Sequence, residues 1–207
     1  MVIYRFLSRV FAYPDLELIS LFDKAELAEF LANWRKLGID AEADADRVTT
    51  WLTQYPDYGT ALLELCKEYT RLFITAYPKA VAPPYSSIYL DKDRLIWGES
   101  TTDAALFYKL AGLSLNEDFH DVPDHIAAEL EFVAYVITEQ LRNNELGLPL
   151  PGRFISIEKR FLNEHLFKWV PLFFSKVAAC STLTFYQVMA NLALRLIERD
   201  LEYLAET

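Results

Sequence analysis

Apolar residues recur every three or four positions along much of the chain, which is the spacing of one buried helix face. The pattern is clearest in three stripes: Leu62, Leu65, Tyr69, Leu72 and Ala76; Ile126, Leu130, Val133, Ile137 and Leu141; and Phe185, Met189, Leu192 and Leu196. Further helices are expected over residues 1–12, 16–22, 25–37, 48–54 and 154–174. The pattern predicts an all-α protein, a single globular helical bundle of roughly eight to ten helices that spans residues 1–207.

A long loop rich in aromatic residues and proline interrupts this pattern in the middle of the chain. Pro78, Pro83 and Pro84 end the preceding helix, because proline donates no backbone hydrogen bond and clashes with the preceding turn. The loop continues to Gly98 and carries four aromatic residues: Tyr77, Tyr85, Tyr89 and Trp97. Loops of this length are either functional or disordered, and the aromatic content argues against disorder. Residues 77–100 are therefore a candidate functional loop and a possible hinge between an N-terminal and a C-terminal half.

Other element boundaries follow from the polar residues beside the stripes. Residues 100–103 supply N-cap acceptors for a helix that Gly112 closes, and Asp121 is expected to begin the long helix that follows. Residues 40–46 are polar and acidic and are expected to form a solvated turn. Residues 86–90 are the only candidate strand.

The net charge restricts the kind of partner. Lys+Arg 20 against Asp+Glu 30 gives −10, and a surface this negative repels nucleic acid and anionic lipid. A cationic partner would instead be steered towards it. Hydrophobic residues make up 53% of the chain and aromatic residues 14%, so either the core is large or some apolar surface is kept for that partner.

Cysteine usage and the N-terminus both indicate a cytoplasmic protein. Cys66 and Cys180 fit no metal or redox spacing and are expected to be buried, reduced thiols. Arg5 and Arg9 interrupt the apolar N-terminal run, so it does not resemble a secretory signal. No uninterrupted apolar run approaches the ~18 residues of a membrane span, and we expect no membrane insertion.

The chemistry-bearing residues do not match a known kind of active site. The pair His120-Asp121 is typical of metal-dependent phosphohydrolases, but those sites need a histidine on an earlier helix and none precedes His120. Glu164 and His165 are adjacent rather than three apart, unlike the Glu-x-x-His pairs of di-iron bundles. Neither a glycine-rich phosphate loop nor a Gly-x-Ser-x-Gly elbow occurs. We therefore expect no enzyme, catalytic residue, metal or cofactor; an all-α metal- or nucleotide-dependent hydrolase centred on residues 120–129 is an alternative.

Asp124 and His125 are candidates for a polar rim beside an apolar groove. If the helix begins at Asp121, Asp124 lies ~200° and His125 ~100° around it from the buried Ile126. The alternative is that Asp124 only favours the helix start electrostatically. The aromatic stripe has the same ambiguity, since Tyr69, Leu72 and Phe73 are either core residues or presented to a partner. Together they predict recognition of a polypeptide segment that is basic at one end and apolar after it.

Several of these residues lie in a set of distinctive stretches: EYTRLF at 68–73, APPYSSIYLD at 82–91, GEST at 98–101, PDHI at 123–126 with ELEF at 129–132, and FLNEHLFKW at 161–169. These stretches resemble the TorD/DmsD family of molybdoenzyme maturation chaperones, with NarJ a more distant relative. The resemblance covers residues 64–173, and the earlier residues resemble the family only in being helical. It implies an all-helical cytoplasmic protein.

The resemblance also implies a function and a site. Such a chaperone binds the twin-arginine leader of an apo-molybdopterin oxidoreductase subunit and holds the client until its cofactor is inserted. The peptide-binding residues that the family's motifs imply are Tyr69, Leu72, Phe73, Pro84, Tyr85, Asp124 and His125. The family allows a monomer or a domain-swapped homodimer. The alternative within the family is a delta-type assembly subunit of a membrane oxidoreductase such as nitrate reductase.

Overall fold

A computed structural model describes residues 3–22, 24–75, 80–113, 122–145 and 151–206, and these residues form eleven α-helices. The helices are α1 Ile3–Phe11, α2 Leu16–Ser20, α3 Lys24–Lys36, α4 Glu42–Leu52, α5 Tyr58–Tyr69, α6 Ser86–Leu90, α7 Glu99–Leu110, α8 Ile126–Glu145, α9 Pro151–Glu164, α10 Val170–Cys180 and α11 Thr184–Glu206. The all-α prediction is confirmed. The count exceeds the predicted eight to ten because residues 86–90 form the short helix α6 and the predicted helix 154–174 divides into α9 and α10.

The packing divides the chain into two compact units. Unit 1 contains Met1–Ser8, Pro84–Pro171 and Asp200–Thr207, and unit 2 contains Arg9–Pro83 and Leu172–Arg199. Each unit has an apolar core of its own, with Phe161 and Trp169 buried in unit 1 and Trp34 and Phe173 buried in unit 2. The single domain over residues 1–207 and the hinge around 77–100 stay predictions.

In unit 2, helix α5 ends in a π-helical turn at Thr70–Ile74 rather than continuing as the predicted α-helix. The amide of Thr75 donates to the carbonyl of Thr70 at 2.8 Å, five residues back. The carbonyl of Leu72 accepts from the amide of Ala82 at 2.8 Å, so the chain beyond the turn returns to it. Single π turns are often found at functional sites, and this one lies in the predicted aromatic stretch.

The Glu-x-x-Arg pair in EYTRLF fixes the connection between α10 and α11 within the same unit. Arg71 donates twice to the Glu68 carboxylate, at 2.7 and 2.8 Å, and also to the carbonyl of Cys180 at 2.7 Å. Glu68 further accepts from the Ser181 hydroxyl and from the amide of Thr182. Hydrogen bonds to its carboxylate outweigh its burial, so the pKa of Glu68 is lowered.

Three local predictions are wrong for identifiable reasons. Residues 42–46 belong to helix α4 and not to the solvated turn predicted for 40–46, because Glu42 and Asp44 lie in the first turn, where carboxylates interact favourably with the helix dipole. Residues 86–90 form helix α6 instead of a strand. The predicted helix 154–174 divides at a 3-10 turn, Leu166–Lys168, and α10 begins at the residue before Pro171. Proline is tolerated there because the first helical amides have no partner within the helix.

Several predicted burial states also differ. Leu141 is 55% exposed, so the buried stripe of α8 ends before it. Cys66 and Cys180 are free thiols, but neither is buried as predicted: Cys66 is half-buried and Cys180 is exposed. The predicted helix start at Asp121, the His120-Asp121 pair, and the Tyr77-Pro78 helix end lie outside the described residues. Across the parts of the chain that are described, no helix is both long and apolar enough to cross a membrane.

Candidate functional site

Four of the seven predicted peptide-binding residues meet in unit 1, although Tyr85 and His125 are 40 positions apart in the chain. Tyr85 and His125 form an isolated antiparallel β-bridge, and the amide of Ile126 donates to the carbonyl of Pro84 at 2.8 Å. The Tyr85 and His125 rings meet edge to face, with their centroids 5.1 Å apart. Pro84, Asp124 and His125 are buried, whereas Tyr85 is only half-buried. The sequence motifs at 82–91 and 123–126 are therefore one local structure.

Asp124 is an internal acceptor and not a rim residue. Its side chain is 0% exposed, and its carboxylate accepts from the amide of Ser87 at 2.9 Å, the hydroxyl of Thr101 at 3.0 Å and the hydroxyl of Ser86 at 3.5 Å. The carbonyl of Asp124 accepts from the amide of Ser86 at 3.0 Å. The prediction that Asp124 lies in the first turn of the long helix is wrong, because α8 begins at Ile126 and the helical angles do not apply before it.

A second buried polar cluster lies in the same unit and was not assigned a role from the sequence. His165 Nε2 lies 2.8 Å from Glu129 Oε1, and the indole of Trp169 donates to Glu129 Oε2 at 3.0 Å. Burial raises the pKa of Glu129, and the His165 ring opposes this. Burial alone would lower the pKa of His165, but the Glu129 carboxylate beside it raises the pKa. The pair is thus held together by a hydrogen bond in a site closed to water.

This cluster does not have the geometry of a nucleophilic site. The hydroxyl of Ser86 lies 3.4 Å from His165 Nε2, which is the same ring nitrogen that contacts Glu129. In a serine hydrolase the base uses one ring nitrogen for the nucleophile and the other for the carboxylate. Ser86 is also 0% exposed, so no substrate reaches its hydroxyl. Among the described residues, which do not include His120, no group of three His, Cys, Asp or Glu side chains could hold a metal ion.

The start of helix α7 is held by a carboxylate from the preceding loop. Asp91 accepts from the amide of Ser100 at 3.2 Å and from the Ser100 hydroxyl, and the N-cap position itself is Gly98. The predicted cap at 100–103 is therefore replaced by Asp91, nine residues before Ser100. Thr101, the next residue, donates to Asp124. The GEST stretch thus connects α7 to the buried Asp124.

Gly98→Ala is expected to lower the free energy of unfolding by about 1–2 kcal/mol, because a Cβ there would lie 1.8 Å from Asp91 Oδ2 and 2.9 Å from its Cγ. The carboxylate would have to leave Ser100, and α7 would lose its cap. Urea denaturation measures the change. Gly152→Ala is the matched control, since nothing lies within 4 Å of a Cβ at that helical position. It should be neutral or stabilising; equal losses in both variants would contradict the Asp91 contact.

The other three predicted residues, Tyr69, Leu72 and Phe73, lie in the core of unit 2. Their exposed fractions are 5%, 0% and 4%. Tyr69 donates to the carbonyl of Phe11 at 3.3 Å, and the exposed Tyr13 packs edge to face on its ring at 5.3 Å. Of the two alternatives for the aromatic stripe, the structure shows these three residues as core residues. Their role in peptide binding stays a prediction.

Sequence reasoning also missed an exposed apolar segment in unit 1. Leu95, Ile96 and Trp97 are 66%, 44% and 70% exposed on the loop between α6 and α7. Their position inside the loop of residues 77–100 was the available signal, but no periodic pattern marks them. The Glu129, His165 and Trp169 cluster was signalled only by the stretches that carry the family resemblance.

Comparisons with known proteins identify relatives of this chain. The family model described as nitrate reductase delta subunit matches residues 23–175. Chaperone protein TorD of Vibrio vulnificus (strain YJ016) is 31% identical over 209 residues, covering 98% of this chain and 93% of the relative. Chaperone protein TorD of Aliivibrio salmonicida is 28% identical over 204 residues, with coverages of 98% and 93%. The similarity is thus wider than residues 64–173.

A crystal structure of an Archaeoglobus fulgidus protein described as a redox enzyme maturation protein has the same fold. Its TM-score is 0.55 with 24% sequence identity, covering 94% of this chain and 91% of that one. At this identity the likeness concerns the fold alone. The family model and the relatives establish the rest: this chain belongs to the nitrate reductase delta subunit family, among the chaperones named TorD.

Proposed function

We propose that this chain is a redox-enzyme maturation chaperone that acts in the cytoplasm and binds the twin-arginine leader of an apo-molybdopterin oxidoreductase subunit. Its role is to hold the client until the cofactor is inserted, and it makes or breaks no bond itself. The observation that carries the proposal is the junction of Tyr85 with His125, where two separate stretches that resemble the family form one structure with a partly exposed aromatic ring.

The residues of this junction have different tasks in the proposal. Tyr85 is the direct contact, because its ring is partly exposed and its backbone is fixed by the bridge to His125. His125 packs against that ring, the carbonyl of Pro84 accepts from the amide of Ile126, and Asp124 fixes the backbone after Tyr85 through Ser86 and Ser87. A tyrosine suits a leader because it offers an apolar face, a hydroxyl and a surface on which a guanidinium group can stack.

Charge supports the same partner. The chain carries −10, and a leader with two arginines is attracted to it at long range. The buried Asp124 already accepts three side-chain or backbone hydrogen bonds, so the arginine pair would meet exposed carboxylates instead. Steering by the whole surface predicts that association slows as salt is added.

Tyr85→Ala is expected to weaken binding of an Arg-Arg leader peptide about tenfold or more, because the aromatic contact is lost. The measurement is isothermal titration of the folded protein with a synthetic leader, compared with a scrambled peptide of the same composition. Tyr203→Ala, at a tyrosine 61% exposed on α11, is the matched control and should bind normally. A scrambled peptide that binds wild-type protein as tightly as the leader would refute the proposed function.

A delta-type assembly subunit is the second candidate, favoured by the description of the family model that matches residues 23–175. Such a protein would grip its oxidoreductase through a segment other than an export leader. Co-purification with the client oxidoreductase, with and without the client's N-terminal leader, separates the two. Retention of the truncated client would favour the assembly subunit, and its loss would favour leader binding. Monomer and domain-swapped homodimer are both compatible with either proposal.

A further inference from the structure

The loop between α6 and α7 presents three consecutive apolar side chains to solvent. Leu95 is 66%, Ile96 is 44% and Trp97 is 70% exposed, and Leu90 at the end of α6 is 36% exposed. The other three tryptophans of the chain, Trp34, Trp51 and Trp169, are at most 3% exposed. Single exposed apolar residues are ordinary, but a contiguous run that includes a tryptophan is typical of an interaction surface.

The backbone of this loop holds the side chains in place at a conformational cost. Arg94 has φ +50° and Trp97 has φ +71°, a left-handed conformation that side chains other than glycine adopt rarely. For a bulky residue such as tryptophan it is a genuine outlier, and strain of this kind is concentrated at functional sites. The loop would relax if residue 97 were glycine, so the tryptophan has a cost that folding does not explain.

The loop is attached at both ends to the structure that holds Tyr85. Its N-terminal end follows α6, whose first amides donate to Asp124, and its C-terminal end leads into α7, where Thr101 donates to the same carboxylate. Asp91 and Ser100 connect the two ends of the loop directly. All these residues belong to unit 1. The exposed run is thus fixed relative to the Tyr85–His125 junction.

We propose that Leu95, Ile96 and Trp97 bind the apolar segment that follows the arginine pair of the leader, an inference that rests on the proposed function. The exposed carboxylates Asp93 and Glu99 flank the run on its two sides, which suits a peptide whose cationic residues directly precede apolar ones. Lys92 and Arg94 balance two of the three carboxylates of residues 91–99, so the apolar contact, and not ion pairing, provides most of the affinity for this segment.

Trp97 also supplies its own probe, because it is the only tryptophan with more than 3% of its surface exposed. Iodide should quench Trp97 emission in the free protein and leave the three buried tryptophans largely unaffected. Saturation with a leader peptide that lacks tryptophan should then remove most of this quenching. A peptide that keeps both arginines but has serine at its apolar positions should bind weakly and leave Trp97 open to iodide.

Trp97→Gly should weaken leader binding about tenfold to thirtyfold, since the indole that the peptide covers in the complex is lost. Its fold should be intact, because glycine tolerates the positive φ. Trp97→Phe should keep most of the wild-type affinity, because an aromatic ring remains, and should lose the emission that iodide quenches. Leu141→Ala, at an apolar residue 55% exposed on α8, is the matched control and should bind normally.

The outcomes separate this inference from the proposed function. If Trp97→Gly binds the leader normally and iodide quenching is unchanged by peptide, the inference fails while leader binding at Tyr85 stands. If wild-type protein binds no leader at all, both fail. If Trp97 becomes protected on raising the protein concentration without peptide, and sedimentation shows a dimer that Trp97→Gly abolishes, the occupant is a second copy and the inference is overturned.

Discussion

Asp124→Ala should lower the free energy of unfolding by about 3–5 kcal/mol, one of the largest losses expected for a single substitution in this protein. The substitution leaves the amide of Ser87 and the hydroxyl of Thr101 without their acceptor, and both residues are buried. Each buried donor without a partner costs about 1–3 kcal/mol, and the small side chain leaves a void in addition. Urea denaturation followed by circular dichroism measures the change.

Two further variants identify the cause of that loss. Asp124→Asn keeps an acceptor oxygen and the side-chain volume, so it should lose less than half as much stability. Asp93→Ala, at an exposed carboxylate in the same unit, should change stability by less than about 0.5 kcal/mol. If Asp124→Ala unfolds at the wild-type urea concentration, Asp124 is not the structural acceptor described here, and a direct contact with a ligand arginine becomes the better explanation.

This expectation changes how binding data on Asp124 variants are to be interpreted. From the sequence, Asp124→Ala is expected to weaken leader binding while leaving the fold intact. In the structure the carboxylate is sealed and fully engaged, so a weaker leader affinity would follow from the loss of the Tyr85 scaffold. Binding by Asp124 variants therefore has to be measured on the folded fraction, at a temperature well below the midpoint of unfolding.

The helices could be predicted from the sequence because their information is local. The stripe of Leu65, Tyr69 and Leu72 predicts a helix with a buried face, and all three residues are buried. The short helix α6 was not predicted, for the same reason. Helix α6 has five residues and begins where the amides of Ser86 and Ser87 donate to Asp124, 38 and 37 positions away. No local pattern can reveal an acceptor that distant in the chain.

The candidate site was predicted in its members but not in its geometry. Tyr85 and His125 were named together only because separate stretches resemble one family, and their contact required the folded chain. Charge was misleading for Asp124, because a carboxylate in a sequence is expected at the surface unless its partners are known. Glu129 and His165 belong to different helix ends, 36 positions apart, and each looks ordinary alone. Contacts between residues this far apart in the chain cannot be predicted from a single sequence.

A pair of carboxyl groups in unit 1, the buried Glu158 and the half-buried Asp200, gives the second large effect. Glu158 on α9 and Asp200 on α11 share a hydrogen bond, Tyr4 donates to Asp200 at 2.8 Å, and Gln140 donates to Glu158. Burial, followed by the neighbouring Asp200, raises the pKa of Glu158 from 4.5 to about 8. Burial also raises the pKa of Asp200. Glu158 therefore keeps its proton in the folded state at neutral pH and donates it to Asp200.

Glu158→Gln should make the protein more stable than wild type by about 3–4 kcal/mol at pH 9 and leave stability nearly unchanged at pH 4.5. The amide of glutamine donates to Asp200 as the protonated acid does, but it cannot ionise. In wild-type protein the unfolded state releases the Glu158 proton above pH 4.5 while the folded state keeps it to about pH 8. Stability due to this group thus falls as pH rises through that window.

The measurement is the free energy of unfolding in urea at pH values from 4.5 to 9, for wild type and variant. The raised pKa values of Glu129 and His165 add slopes of the same sign to both proteins, so the difference between the two curves isolates Glu158. Glu164→Gln, at an exposed glutamate of the same helix that pairs with Arg160, is the matched control and should follow wild type.

Parallel curves for wild type and Glu158→Gln would mean that Glu158 ionises normally in the folded protein. The hydrogen bond from Tyr4 on α1 to Asp200 on α11 would then lie beside an ionised, buried Glu158. That arrangement is unfavourable, because no cation is among the described partners of Glu158.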